Sequence, residues 1–288
     1  MHETVLVIGA TGRIGRHLVA NLVERDVAVR VLTRNPERAS QILGDRIRQV
    51  DVVRGDIADS ASVKAAVSGA DRIFLAVGGP ACTDERHELN VVRALEGKAT
   101  RLVKVSGGFP VTSEHSASPI GAAHWRCERE IIASSLDFTI LRPSLFSQNT
   151  FGLVSDGQIF LTDFDVPVSY VDARDIARMA TIALLDGGHE RKTYEATGGE
   201  AIDSEAICAA IQKVCRKPLK RILHSSEWVL ERTPPWYRPH VREVHRMMRA
   251  GYYAKVTDAV KTVTGRDPTP FDRFVQNNAD RFRKLCEN

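Results

Sequence analysis

The chain opens with a run of apolar, mostly β-branched residues that ends in three glycines spaced three residues apart. The run covers residues 4–8, and the glycines are Gly9, Gly12 and Gly15. An amphipathic segment follows at once, so the pattern predicts a buried strand, a tight turn and the start of a helix. Gly9 permits backbone angles that other residues avoid, Gly12 leaves room for a phosphate, and Gly15 lets the helix lie against the strand.

The predicted helix points its free backbone N–H groups and the positive end of its dipole at the turn, which favours a pyrophosphate. A glycine triplet alone also occurs in ordinary turns, but this one stands in the required strand–turn–helix context. The sequence therefore predicts a dinucleotide site at the turn. The residues expected to contact the dinucleotide there are Gly9, Thr11, Gly12, Arg13, Ile14 and Gly15.

The end of the second predicted strand, residues 28–33, distinguishes the two nicotinamide dinucleotides. NAD-preferring proteins carry Asp or Glu at this point, where it binds the adenine ribose. This chain has Thr33 and Arg34 instead, with Arg38 one helical turn onward. An arginine pairs with a 2′-phosphate that a carboxylate would repel, so the sequence favours NADP(H) as the cofactor. The alternative is that Arg34 merely begins a solvated loop.

Strands and helices then alternate with short connections, which predicts an α/β fold with a doubly wound parallel (Rossmann) sheet. The further strands are predicted at residues 50–53, 71–79, 101–106 and 138–141, and the helices at 14–25, 59–68, 85–97 and 121–134. Such sheets bind ligands beyond the carboxyl ends of their strands. We therefore expect cofactor contacts from Asp56, Ala76, Val77, Gly78 and Ser106. Capping of the next helix explains Asp56 equally well.

The pattern changes after Gly157. Short strands are predicted near Ile159 and Val168, a helix at residues 172–185, a strand at 193–196, and helices at 203–215, 238–249 and 271–282. We predict an NADP-binding Rossmann domain over residues 1–156, to which 157–200 partly return. Residues 201–288 are predicted to form a smaller, mainly helical substrate-binding lobe.

Charge and cysteine usage exclude several classes of function. The net charge is only +4, with both signs interspersed, so we expect neither nucleic acid nor a membrane as a partner. The first predicted strand begins at residue 4, which predicts no signal peptide. Five scattered cysteines without a C-x-x-C pair favour free structural thiols over disulfides or a metal site, and a cytoplasmic location. The sequence does not distinguish a monomer from a homodimer.

Five motifs follow one another along nearly the whole chain. They are the glycine stretch at 9–15, Thr-Arg-Asn-Pro at 33–36, Thr-Ile-Leu-Arg-Pro at 139–143, Val-Asp-Ala-Arg-Asp-Ile-Ala at 171–177 and Thr-Gly-Arg-Asp-Pro at 264–268. Together they resemble the NmrA-like branch of the atypical short-chain dehydrogenases/reductases. The resemblance implies a dinucleotide-binding fold and either of two activities. Members include NAD(P)H-dependent reductases of quinones, dyes and aromatic natural-product intermediates, and also non-enzymatic redox sensors that regulate a partner.

The chain lacks the Tyr-x-x-x-Lys pair of ordinary short-chain dehydrogenases, since no tyrosine has a lysine four residues later. Ser106 and His124 are the remaining catalytic candidates. Ser106 matches the serine that follows the fifth strand in the wider superfamily, although its hydroxyl equally suits a local backbone contact. The resemblance places His124 near the nicotinamide ribose, and imidazole suits proton donation or hydrogen bonding there. The resemblance also implies cofactor contacts from Pro143 and Phe146, because the segment after the sixth strand passes the nicotinamide in this family. A structural role for His124 is the alternative, and Glu128 either orients it or pairs with an arginine.

Aromatic side chains bind flat substrates well, although each of these residues also suits the core. The residues expected to line a substrate pocket are Phe109, Trp125, Phe146, Trp228 and Trp236. The function predicted from the residues and the resemblance is NADP(H)-dependent hydride transfer to or from a quinone-like, conjugated carbonyl or aromatic small molecule. A non-enzymatic NAD(P)-binding sensor is the alternative.

Overall fold

A parallel seven-stranded sheet forms the centre of the molecule. The computed structural model describes residues 3–109 and 111–287. In chain order its strands are β1 (Thr4–Ile8), β2 (Ala28–Thr33), β3 (Val50–Arg54), β4 (Arg72–Leu75), β5 (Arg101–Val105), β6 (Asp137–Pro143), β7 (Val154–Ser155), β8 (Gln158–Thr162), β9 (Lys192–Ala196) and β10 (Lys220–His224). The main sheet has the order β3-β2-β1-β4-β5-β6-β9.

Helices cover both faces of this sheet. In chain order they are α1 (Gly15–Val23), α2 (Pro36–Leu43), α3 (Ser60–Val67), α4 (Glu85–Ala94), α5 (Pro119–Ala133), α6 (Ala173–Leu185), α7 (Ser204–Cys215), α8 (Ser226–Arg232), α9 (Arg238–Arg249), α10 (Ala259–Thr264), α11 (Phe271–Asn277) and α12 (Ala279–Glu287). Apolar residues of α1, α6 and α10 pack on one face, and those of α3, α4 and α5 pack on the other. The predicted doubly wound parallel sheet is confirmed.

The order of the strands reverses beside β1, which has β2 on one side and β4 on the other. Its residues from Val5 to Ile8 are all buried, as expected for a central strand covered on both faces. Ile8 stands opposite Leu32 and Leu75, so the three strands end side by side. In sheets of this kind, the crevice at such a reversal is where ligands bind.

A second, smaller sheet lies in the C-terminal half. Its strand β8 pairs in parallel with β10 and antiparallel with β7. Helices α7, α11 and α12 pack against it through residues such as Ile211, Phe274 and Phe282. Strand β9 and helix α6 instead belong to the main sheet and its cover. The proposed division of the chain at residues 156 and 200 remains a prediction.

Two predicted elements of this half are wrong. The strand near Val168 is only a single bridge to Ile202. The helix predicted over residues 271–282 breaks between α11 and α12 at Asn278, whose backbone has φ −122°. The side-chain amide of Asn278 donates to the carbonyl of Phe274 at 2.7 Å, and so occupies the acceptor that a continuous helix would use.

The expectation of free thiols throughout is also wrong. Cys215, at the end of α7, forms a disulfide with Cys286 in α12, which lies 71 residues later. The two helices pack together in the same apolar core, and the sequence separation of the two cysteines does not indicate that they would meet. Cys82, Cys127 and Cys208 are free, as predicted. Within residues 3–109 and 111–287, no helix combines the length and apolar character needed to cross a membrane.

Candidate active site

The turn after β1 depends on glycine at two positions. Gly9 has φ +92°, and a Cβ there would lie 2.2 Å from the carbonyl oxygen of Ala76. A Cβ on Gly15 would lie 2.2 Å from the carbonyl oxygen of Gly9. The turn is closed by the N–H of Gly12, which donates to Gly9 at 2.9 Å. Helix α1 therefore begins directly against the turn, as predicted, and its N-terminal N–H groups face the crevice.

A cleft of about 770 Å³ runs along the carboxyl ends of the strands, within the usual size range of small-molecule sites. Its wall contains every residue that the sequence predicted at the cofactor. These are Gly9, Thr11, Gly12, Arg13, Ile14, Gly15, Thr33, Arg34, Asp56, Ala76, Val77, Gly78, Ser106, His124, Pro143 and Phe146. Additional wall residues that sequence reasoning missed include Asn35, Ile57, Pro80 and His87.

The end of the cleft beside β2 and β3 is basic. Arg34 and Arg38 both line it and are exposed, and neither makes an ion pair with another residue in the described part of the chain. The side chain of Asn35 caps α2 by accepting from the N–H of Arg38 at 2.8 Å. Arg34 thus follows β2 on a loop fixed by that cap, where its guanidinium can meet a phosphate.

Asp56 lies in the wall of the same end. Its carboxylate accepts from the N–H of Ala58 at 2.9 Å. The cap of α3 is Asp59, which accepts from the N–H groups of Ala61 and Ser62. Capping of the following helix therefore does not explain Asp56, and its predicted place beside the cofactor remains open to test.

The opposite end of the cleft is formed by Ser106, His124, Pro143 and Phe146. The hydroxyl of Ser106 is buried and has no hydrogen-bond partner among residues 3–109 and 111–287. A role in satisfying the local backbone is therefore excluded for this hydroxyl. A buried hydroxyl without a partner is uncommon in native proteins, and a bound ligand is one way to supply its missing hydrogen bond.

His124 is held in place by two buried charges that sequence reasoning missed. Lys104 Nζ, on β5, donates to both carboxylate oxygens of Glu88, on α4, at 2.7 Å, and lies 3.1 Å from His124 Nδ1. Lys104 is fully buried and Glu88 nearly so. Burial alone would raise the pKa of Glu88, but the ammonium of Lys104 beside it opposes that effect, and the pKa of this carboxyl lies below its usual value. Both charges are therefore present at neutral pH.

One signal for this pair exists in the sequence. Lys104 stands among the apolar residues 102–105 of β5, a strand that lies between two others in the sheet. A charge in such a strand needs a buried partner. Which residue would supply that partner is not visible in the sequence, because Glu88 lies 16 residues earlier on a different element.

Glu128 contacts an arginine, not His124. Arg142 donates to both of its carboxylate oxygens, through Nε at 3.0 Å and through Nη2. The pair ties α5 to β6, and Glu128 is almost completely buried. Of the two roles left open for Glu128, the structure therefore selects pairing with an arginine.

The structure does not assemble the predicted aromatic pocket. Only Phe146, with Arg13 over its ring at 5.4 Å, lies in the cleft wall. Trp228 stacks on His224 and on the guanidinium of Arg232. The remaining three lie outside the wall of the cleft: Trp125 is half-buried on α5, Phe109 is exposed beside Tyr252, and Trp236 is exposed beside Tyr237. Trp125 and Trp228 lie on helices α5 and α8, whereas Phe109 and Trp236 lie in turns, so the fold does not bring these rings together.

Helix α9 packs against α5 beside this end of the cleft. His240 shares a hydrogen bond of 2.8 Å with the hydroxyl of Ser118, which also caps α5 by accepting from the N–H of Gly121. The ring of Tyr237 lies 5.0 Å from that of His240. Burial lowers the pKa of His240 well below its ordinary value. His240 is therefore neutral at neutral pH.

Residues 9–187 of the chain match a protein family described as NAD(P)H-binding. A reductase of Streptomyces griseus that acts on (4-alkanoyl-5-oxo-2,5-dihydrofuran-3-yl)methyl phosphate is 30% identical over 286 residues. That alignment covers 96% of this chain and 99% of the relative. An NAD(P)H azoreductase of Xenophilus azovorans is 26% identical, with 96% and 99% of the two chains covered.

Among solved structures, the NADPH-dependent quinone oxidoreductase of Escherichia coli in complex with NADPH has the same fold. Its TM-score is 0.80 at 19% identity, with 95% of this chain and 99% of the other covered. Because the match spans nearly the full length of both chains, the fold similarity includes the C-terminal lobe as well as the central sheet.

Proposed function

This chain belongs to the NAD(P)H-binding family, and we propose that it is an NADPH-dependent reductase of conjugated carbonyl, quinone-like or aromatic small molecules. Membership and the reductase relatives confirm the predicted Rossmann-type fold, the nicotinamide cofactor and the oxidoreductase class. The choice of NADPH over NADH, the acceptor and the residue roles are parts of the proposal. So is the narrower placement in the NmrA-like branch.

One observation carries the proposal: the sixteen predicted cofactor residues all line a single cleft, which has arginines at one end and His124 at the other. The cradle fits a dinucleotide, because a Cβ at Gly9 or Gly15 would clash with the backbone of this tight turn at the start of α1 and the buried hydroxyl of Ser106 lacks a partner in the described chain. Arg34 would bind the 2′-phosphate, and the start of α1 the pyrophosphate.

The nicotinamide supplies a hydride when it is bound. Ser106 and Pro143 would hold it against the end of β5, and Phe146 would give the acceptor an apolar wall. His124 would donate a hydrogen bond to the acceptor oxygen on which negative charge develops. Conjugated acceptors suit this site, because they spread the developing charge and so need a strong general acid less than a saturated ketone does.

The activities of two relatives support this class of acceptor. The Streptomyces enzyme acts on a conjugated lactone that carries an acyl group, and the Xenophilus enzyme acts on azo compounds. Both acceptors have an electron-poor, conjugated bond. We further propose that the protein is cytoplasmic, that it is a monomer or a homodimer, and that its two lobes divide near residue 200.

The test follows NADPH oxidation by the purified full chain with menadione, an azo dye, a conjugated butenolide and cyclohexanone. We expect turnover with at least one conjugated acceptor and none with cyclohexanone. His124→Ala should lower kcat by about 10²- to 10³-fold, the usual effect of removing one such donor. Tight NADPH binding without turnover of any acceptor would instead support the sensor alternative, and unchanged turnover in His124→Ala would exclude the role given to His124.

A further inference from the structure

The two ring nitrogens of His124 have opposite surroundings. Nδ1 faces the protein interior, 3.1 Å from Lys104 Nζ and 3.4 Å from Glu88 Oε2. Nε2, on the far side of the ring, makes no hydrogen bond to the described residues, and the ring itself lines the cleft. The adjoining ring carbon lies against Gly107, where a Cβ would come within 3.0 Å of it. The orientation of the His124 ring is therefore fixed by the buried charges at Nδ1 and by the backbone of Gly107 beside the ring.

Lys104 determines which ring nitrogen carries the hydrogen. Its ammonium group has three hydrogens and cannot accept. Two of them go to the oxygens of Glu88 at 2.7 Å, and for the third, His124 Nδ1 at 3.1 Å is a nearer acceptor than the carbonyl of Val105 at 3.4 Å. Burial alone would lower the pKa of Lys104, but Glu88 outweighs it and raises that pKa, so the ammonium persists. Nδ1 must therefore accept, and the ring hydrogen lies on Nε2.

A charged imidazolium is disfavoured at this position. It would place an N–H on Nδ1 against the ammonium of Lys104, so two cations would share the single carboxylate of Glu88. The other titratable groups near the cluster add no unpaired negative charge, because the carboxylate of Glu128 is paired with Arg142 and burial raises the pKa of the Cys82 thiol. Cys127 is buried, which raises the pKa of its thiol, and His240 is neutral.

We propose that the Glu88–Lys104 pair holds His124 as a neutral imidazole with its hydrogen on Nε2, directed into the cleft as a hydrogen-bond donor. Glu88 and Lys104 are positioning residues, since they line no part of the cleft. The inference rests on the proposed function, in which an acceptor oxygen becomes negative as the hydride arrives. His124 gives up no proton in this role: it stabilises the oxyanion, which then takes its proton from water.

The ring state can be measured without any substrate. In full-length protein labelled with ¹⁵N-histidine, we expect the nitrogen shifts of His124 at neutral pH to show the Nε2–H form alone, with His124→Gln as the assignment control. The variant Glu88→Leu/Lys104→Met removes both charges together, and its His124 should shift toward mixed tautomers. A wild-type ring that is protonated on Nδ1, alone or together with Nε2, would overturn the inference whether or not the variant folds.

A kinetic measurement separates positioning from packing. We expect Glu88→Leu/Lys104→Met to lose about 10- to 100-fold in kcat, while the KM for the acceptor and the Kd for NADPH stay within about threefold. The matched control Glu128→Leu/Arg142→Met removes another ion pair between a helix and a strand, whose Glu128 lies on the same helix as His124, and should leave the nitrogen shifts of His124 unchanged. An equal shift in the control would contradict the inference.

Failure of the inference can be distinguished from failure of the proposed function. If wild-type His124 is in the Nε2–H form but His124→Ala turns over normally, the tautomer assignment stands and the role of His124 in reduction falls. If turnover requires His124 but its ring is an imidazolium, the assigned tautomer is wrong and the reductase proposal stands.

Discussion

The two ends of the cleft are built in different ways. The end that we assign to the pyrophosphate and the 2′-phosphate comes from short contiguous stretches, the turn at Gly9–Gly15 and the loop after β2. The end that we assign to the nicotinamide combines α4, β5, α5 and the segment after β6. Backbone conformation and exposed arginines define the first end, whereas the second depends on three buried polar side chains from three elements.

This difference has an energetic consequence. Exposed arginines at the first end can be replaced at little cost to folding, because water already solvates them. At the second end, Lys104 and Glu88 have left water, and each depends on the other for compensation. Substitutions at the first end should therefore act on the cofactor, and those at the second should act on stability and turnover together.

The largest effect is expected for Lys104→Met, which leaves the carboxylate of Glu88 buried without its partner. The free energy of unfolding should fall by about 3–5 kcal/mol, the usual cost of breaking a buried ion pair from one side. Urea unfolding followed by circular dichroism measures it. The variant Glu88→Leu/Lys104→Met should recover most of this loss, because no isolated charge remains. If the single and double variants are equally destabilised, the pair contributes by shape and not by charge.

The same difference explains which parts of the site could be predicted from the sequence. A tight turn, the end of a strand and the arginine after it can each be predicted from residues that are adjacent in sequence. The predicted cofactor residues all lie in the cleft wall. The Glu88–Lys104–His124 cluster spans separations of 16 and 20 residues across three elements, and only the folded sheet brings its members together. The pairing of Cys215 with Cys286 and the scattering of Trp228 and Trp236 depend in the same way on helix packing.

A smaller, selective effect is expected at the first end. Arg34→Gln removes a charge-assisted contact to the 2′-phosphate, worth about 1.5–3 kcal/mol. The Kd for NADPH should rise about 10- to 150-fold while that for NADH stays the same. Fluorescence titration of both dinucleotides measures it, and Arg46→Gln, an exposed arginine outside the cleft wall, is the control. Equal losses for the two dinucleotides would place Arg34 elsewhere than at the 2′-phosphate.

The smallest effect is expected where helices α4 and α5 meet at the surface. Arg126 donates to both carboxylate oxygens of Glu85 at 2.9 and 3.0 Å, so this pair joins the same two helices that carry Glu88 and His124. Both side chains remain partly in water, and an exposed ion pair is worth about 0.2–1 kcal/mol. Glu85→Gln/Arg126→Gln should therefore change the free energy of unfolding by less than about 1 kcal/mol.

That variant also tests what orients His124. If the surface pair only joins the two helices, its loss should leave the ¹⁵N shifts of His124 and the value of kcat unchanged, because Lys104 Nζ still lies against Nδ1. A fall in kcat as large as that of the Glu88→Leu/Lys104→Met variant would mean that the spacing of α4 and α5 sets the ring position. The buried charges would then act only through that spacing, and the two ends of the cleft would differ less than their construction indicates.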